Sequence, residues 1–89
     1  MTERRYRVDM APGAVRQLRR LPPGDAARLR QPIMDLASRP RPPGAVKLTG
    51  TPFLRIRIGD LRVIYVVDDA ASVVVVLKVA RRSESTYRR

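Results

Sequence analysis

The stretch from Leu54 to Tyr65 constrains the fold more than any other part of the chain. Leu54-Arg55-Ile56-Arg57-Ile58 alternates apolar and basic residues without a break, and Leu61-Arg62-Val63-Ile64-Tyr65 follows after Gly59-Asp60. A period of two is the signature of a strand with one buried and one open face. Two such runs joined by two residues, with Gly first, read as a β-hairpin. The register then has no freedom left. Ile58 faces Leu61, Arg57 faces Arg62, Ile56 faces Val63 and Arg55 faces Ile64. Leu54, Ile56 and Ile58 point to a core, while Arg55 and Arg57 stand on the other face, about 7 Å apart.

This register assembles a cationic triangle of Arg55, Arg57 and Arg62. Like charges directly opposed on one sheet face are destabilising. No carboxylate lies on either strand, and Asp60, in the turn, is the nearest acid. Two readings fit. One is a solvated face on which Arg is tolerated. The other is an anion site, since the guanidinium fork matches phosphate oxygens in a bidentate manner.

The remaining elements follow from the same kind of pattern. Tyr6 to Met10 reads as a short strand. Pro12-Gly13 opens a helix with Ala14, Val15, Leu18 and Leu21 on one face, and Pro22-Pro23-Gly24 stops it. Asp25 is a suitable N-cap for a second helix, along which Leu29, Ile33, Leu36 and Ala37 recur at helical spacing. Pro32 interrupts that pattern, because an interior Pro costs about 3 kcal/mol. The helix is either kinked at Gln31-Pro32 or split in two, and we expect the kink. Arg39 to Gly44 is a rigid Pro-rich loop. Three strands follow, Leu54 to Ile58, Leu61 to Val67 and Val73 to Ala80. The order β-α-α-β-β-β implies an α+β fold, with a mainly antiparallel sheet packed on a helical pair. With 89 residues the chain is read as a single domain, 1–89, of which 81–89 is a basic C-terminal tail.

Charge and composition narrow the function. The 19 basic and 8 acidic residues give a net charge of +11, a strong positive potential for a small fold. Arg in place of Lys is also what a GC-rich genome encodes, but that bias does not explain an excess of base over acid. Phosphate backbones are the natural partner, and a membrane surface or an acidic protein would also be attracted. The chain has neither Cys nor His. Disulfides, thiol nucleophiles and imidazole acid–base chemistry are therefore excluded. The carboxylates are scattered, so any enzyme here is expected to be metal-free and without cofactor. The longest apolar run, Val73 to Leu77, is too short to span a bilayer, no targeting segment is visible, and a cytoplasmic location is expected.

The C-terminal run Arg81-Arg82-Ser83-Glu84-Ser85-Thr86-Tyr87-Arg88-Arg89 adds cations and one aromatic ring. Either it is a solvated tail whose Tyr87 docks on the sheet, or Tyr87 stacks on an unpaired RNA base. Lys47 precedes the hairpin and is expected to extend the basic face. Lys78 reads as a solvated or edge residue, and Tyr6 and Tyr65 read as structural.

Taken together, these segments resemble a known family. Lys47-Leu48-Thr49-Gly50 with Leu54 to Tyr65 resembles the "KL-G … YRIRVGDYRVIY" core of RelE/ParE-type toxins. Val76-Leu77-Lys78-Val79-Ala80-Arg81-Arg82, followed by Tyr87-Arg88, resembles the last strand and end of that family. The Leu18 to Pro22 helix end and the Pro40 to Gly44 loop match as well. The resemblance implies the RelE branch, toxins that enter the ribosomal A site and cut mRNA by metal-free transesterification. It assigns Arg55 and Arg57 to holding the phosphate, Arg62 to the developing charge, Arg82, or alternatively Arg81, to the leaving group and Tyr87 to general base and stacking. Arg81 and Arg88, with Lys47, would contact RNA. The family often has Lys at the positions of Arg55 and Arg57, and Arg, unlike Lys, does not give up a proton. The implied partners are a cognate antitoxin, the ribosome and mRNA. The alternatives are a non-enzymatic gyrase poison of the ParE branch and a non-catalytic RNA-binding module.

Overall fold

The structure is a computed structural model, and it describes residues 5–81. The elements run β1 (Arg7–Met10), α1 (Pro12–Arg20), α2 (Pro23–Asp35), β2 (Val46–Lys47), β3 (Phe53–Ile58), β4 (Leu61–Asp68) and β5 (Val73–Arg81). The sheet order is β1-β5-β4-β3-β2. β1 runs parallel to β5 and the other neighbours are antiparallel. The fold is α+β, as the pattern requires.

One face of the sheet carries the core. Ala14 of α1, Leu29 and Ile33 of α2, and Leu36 pack on Ile56, Leu61, Val63, Tyr65, Val74, Val76 and Val79. Leu54 and Ile58 complete this face at the hairpin. The β3–β4 register is the one that alternation dictates, with Ile58 opposite Leu61 and Arg57 opposite Arg62. Gly59 has φ +61°, which an L side chain adopts only with strain. The Gly-Asp order of the turn follows from that.

Three local features depart from the sequence pattern. First, β2 is a two-residue edge strand that hydropathy does not announce, since both residues are exposed. Second, α2 starts at Pro23 and Asp25 is not its N-cap. Proline is preformed for the first helical position, so Asp25 falls in the first turn, where a carboxylate complements the helix dipole. Third, α2 runs unbroken through Pro32, which removes the split-helix alternative. Pro32 has no N–H to give to the carbonyl of Arg28, and Arg28 is exposed, so solvent can satisfy that carbonyl.

The two tyrosines with structural roles tie the Pro-rich loop to the sheet. Tyr65 Oη donates to the carbonyl of Pro40 at 2.8 Å. Tyr6 Oη donates to Asp69 Oδ1 at 2.6 Å. Arg41 grips the same Asp69 carboxylate with two bonds, at 3.2 and 2.9 Å.

Candidate anion-binding face

A β-bulge decides what the face opposite the core displays. Pairing between β4 and β5 shifts between Ile64 and Tyr65, with Ile64 opposite Lys78 and Tyr65 opposite Val76. Leu77 is the extra residue, and an extra residue flips the side-chain phase of all that follow. Val74 and Val76 are buried before the bulge and Val79 after it, and Lys78 is exposed. Without the bulge Lys78 would share the phase of Val74 and Val76.

The result is a cationic cluster on the open side of three adjacent strands. Arg57 and Arg62 are directly opposed, Arg62 lies beside Ala80, and Arg55 and Lys78 flank Ile64 from either side. Opposed residues have Cβ atoms about 5 Å apart. Every strand position paired with these four is apolar or basic. Arg55 Nε is buried and has no hydrogen-bond partner among the described residues, and an orphaned buried donor is costly unless something accepts from it.

Arg81 behaves differently. It shares the core-side phase of Val79 and pairs with Leu61. Its guanidinium bonds Asp25 of α2 and, at 2.7 Å, Asp60 of the hairpin turn. Arg28 adds a 3.3 Å contact to Asp25 and lies over Gly59. The hydrogen bond to Asp25, followed by that to Asp60, raises the Arg81 pKa. The bond from Arg81 holds the Asp60 carboxyl below its ordinary range. Arg81 thus staples α2, the hairpin and β5 together.

Of the residues expected at the site, Arg55, Arg57 and Arg62 come together. Lys47 does not join them. It pairs with core-facing Leu54 on the edge strand, whereas Val46 pairs with Arg55. Arg81, expected to contact RNA, is bonded to two carboxylates. Arg82, Tyr87 and Arg88 lie outside the described residues, as does most of the 81–89 tail. Lys78, read from the pattern as a solvated or edge residue, is exposed and is a further member of the cluster. Its one signal was a lone cation inside the apolar run from Val73 to Val79. Among the described residues, no group of three potential metal-ligating side chains occurs, and no helix is long and apolar enough to cross a membrane.

A family model described as ParE toxin of type II toxin-antitoxin system, parDE, matches residues 8–86. The chain belongs to the RelE/ParE superfamily of type II toxins. The solved structures it resembles place it on the RelE branch of that superfamily. The RelE–RelB complex from Pyrococcus horikoshii OT3 is 32% identical, with TM-score 0.78, covering 90% of this chain and 98% of that one. The RelBE2 toxin–antitoxin complex from Mycobacterium tuberculosis is 27% identical with TM-score 0.78, covering 92% and 97%. The intact RelBE complex of E. coli is 26% identical with TM-score 0.77, covering 93% and 99%. No curated protein matches the chain significantly. In this RelE-type frame the arginine cluster lies on the sheet face opposite the helices.

Proposed function

We propose that this RelE-type chain is a ribosome-dependent mRNA endonuclease that cuts in the A site and inhibits translation. The observation that carries the reading is the packing of Arg55, Arg57 and Arg62 on one open sheet face, with the buried Arg55 Nε lacking an acceptor among the described residues.

The chemistry is transesterification. The 2′-oxygen of a ribose bonds to the adjacent phosphorus and the bond from phosphorus to the 5′-oxygen breaks. The products are a 2′,3′-cyclic phosphate and a 5′-hydroxyl. A base takes the 2′-proton, and a proton reaches the departing 5′-oxygen. Phosphoryl transfer of this kind is driven by positioning and by charge stabilisation. Arg55 and Arg57 hold the phosphate oxygens and Arg62 meets the charge that develops between the strands. Arginine remains protonated, so none of the three is the base. The resemblance gives that task to Tyr87 and the leaving group to Arg82, and the staple on Arg81 favours Arg82 over Arg81. The ribosome would complete the alignment.

An antitoxin would cover this cluster when the toxin is held inactive. The resembled structures from P. horikoshii, M. tuberculosis and E. coli are complexes with antitoxins. A cognate antitoxin with an acidic or amphipathic helix is the corresponding partner here, and the cytoplasm the corresponding location.

The deciding experiment is primer extension on mRNA in a reconstituted translation reaction. Cleavage within A-site codons, absent without ribosomes, supports the reading. The name of the matched family model favours one second reading, a gyrase poison. Intact mRNA together with trapped gyrase–DNA cleavage complexes would establish that instead.

A further inference from the structure

The cationic face does not end at the sheet. β1 pairs only with Val73 to Val76, so the rest of β5 presents an edge on that side, and α1 packs along it. Between the two lies an open groove of about 490 Å³, a size that suits a small ligand (about 300–1,000 Å³). Arg20 of α1 and Lys78 and Arg62 of the sheet bring cations to it, and Leu21, Val79 and Ala80 give it an apolar wall. Among the described residues no carboxylate lines it. Among the described residues neither Arg20 nor Lys78 has an ion-pair partner.

Gln17 sits in this groove in a fixed orientation. Val79 N–H donates to Gln17 Oε1 at 2.7 Å. Because Val79 offers a donor, the atom facing it must be the amide oxygen, and the amide assignment follows from chemistry. The amide NH₂ then has no partner among the described residues. A preoriented two-proton donor, cations on both sides and an apolar wall form the complement of one nucleotide: phosphate on the cations, base edge on the amide, base face on the wall.

We infer that this groove is a second nucleotide subsite, in which Arg20 and Lys78 hold a phosphate of single-stranded RNA and Gln17 reads the edge of the neighbouring base. It rests on the RNA-directed reading above and extends it, through Arg62, around the edge of the sheet.

The test is anisotropy of fluorescein-labelled single-stranded RNA homopolymers of each base, titrated with the full chain across salt without ribosomes. Removing both cations with Arg20→Ala and Lys78→Ala abolishes the one phosphate contact and should lower the salt slope by about 0.7, the value per phosphate neutralised on a single strand. The same double charge loss at exposed Arg30 and Arg39 should lower it less. Gln17→Glu keeps an acceptor for Val79 and removes the NH₂. It should preserve the melting temperature, weaken binding and flatten the preference among the four homopolymers. Gln17→Leu, which orphans Val79 N–H, should lose stability as well.

An unchanged slope in the Arg20/Lys78 variant, or an unchanged base preference in Gln17→Glu, overturns the subsite. So does a groove whose variants lose only the binding of an acidic antitoxin segment. The two readings fail separately. If translated mRNA is cut equally well by wild type and groove variants that bind RNA alike, the subsite falls and the endonuclease stands. If wild type leaves mRNA intact while slope and preference change as stated, the endonuclease falls and the subsite stands.

Discussion

Arg81 and Arg62 sit at one end of the same sheet, on neighbouring strands, and have opposite surroundings. Arg81 meets two carboxylates, Asp25 and Asp60, supplied by a helix and a turn. Arg62 meets Arg57 across β3 and Ala80 across β5. One guanidinium is a fastener, and the other has a like charge as its cross-strand neighbour. Arginine content alone does not tell these roles apart. The positions of particular aspartates do, since Asp25 in the first turn of α2 and Asp60 in the hairpin turn both meet Arg81.

The sharpest way to break this contrast is to remove the arginine of the cationic face. Arg62→Ala should reduce mRNA cleavage in the translation reaction by about 100-fold or more, the usual cost of deleting one positioned charge-stabilising donor. Its melting temperature should change little, because Arg62 lies on the sheet face opposite the core residues Leu61 and Val63. A variant that lost stability and kept activity would reverse the assignment.

Much of this contrast was readable in advance, and the reasons are specific. The strict period of two around Gly59-Asp60 leaves a single register, so Arg55, Arg57 and Arg62 could be placed on one face without coordinates. Lys78 could not, because the bulge at Leu77 shifts the phase of β5 without any turn residue to mark it. Lys47 was placed on the wrong face because β2 has too few residues to show alternation. Asp25 was read as a cap because its local spacing fits one. Its actual partner, Arg81, is 56 residues away, and no local pattern reports a contact at that separation. The role of Gln17 was invisible for the same reason.

A smaller effect tests the turn that brings Arg57 to Arg62. Gly59→Ala places a Cβ at φ +61°, against the Arg28 guanidinium. The flexible Arg28 can move aside, but the backbone strain remains at about 1–2 kcal/mol. Urea denaturation should show that loss, and cleavage should fall if the opposed arginine pair depends on the tight turn.

Tyr65→Phe sharpens the comparison from the core side. It leaves the carbonyl of Pro40 without its 2.8 Å donor and should cost about 1 kcal/mol, with cleavage unaffected. Burial raises the Tyr65 pKa above its ordinary value of 10.0. The folded state therefore holds this proton more tightly than the unfolded one. The associated stability is present below pH 10.0 and is lost as pH rises through the higher folded value. Thermal melts above pH 10.0 should decline less steeply in the Phe variant.

The smallest expected effect lies in the staple. Asp60 is held below its ordinary value of 3.8 by the Arg81 bond. Its contribution is present above pH 3.8 and lost as pH falls through the depressed folded value. Asp60→Asn should flatten that acid limb of the melting curve and leave cleavage at neutral pH intact. A large loss of cleavage in this variant would mean that the staple also shapes the cationic face.

The sheet order has a consequence for the history of each molecule. β5 lies between β1 and β4, yet it is the last of the described strands to leave the ribosome. Until it arrives, the first strand has no neighbour and the hairpin lacks one flank, so the nascent chain cannot close its sheet. Contacts this distant in sequence form late and slowly. A frameshift or stop codon anywhere before β5 thus leaves a fragment that cannot build this sheet.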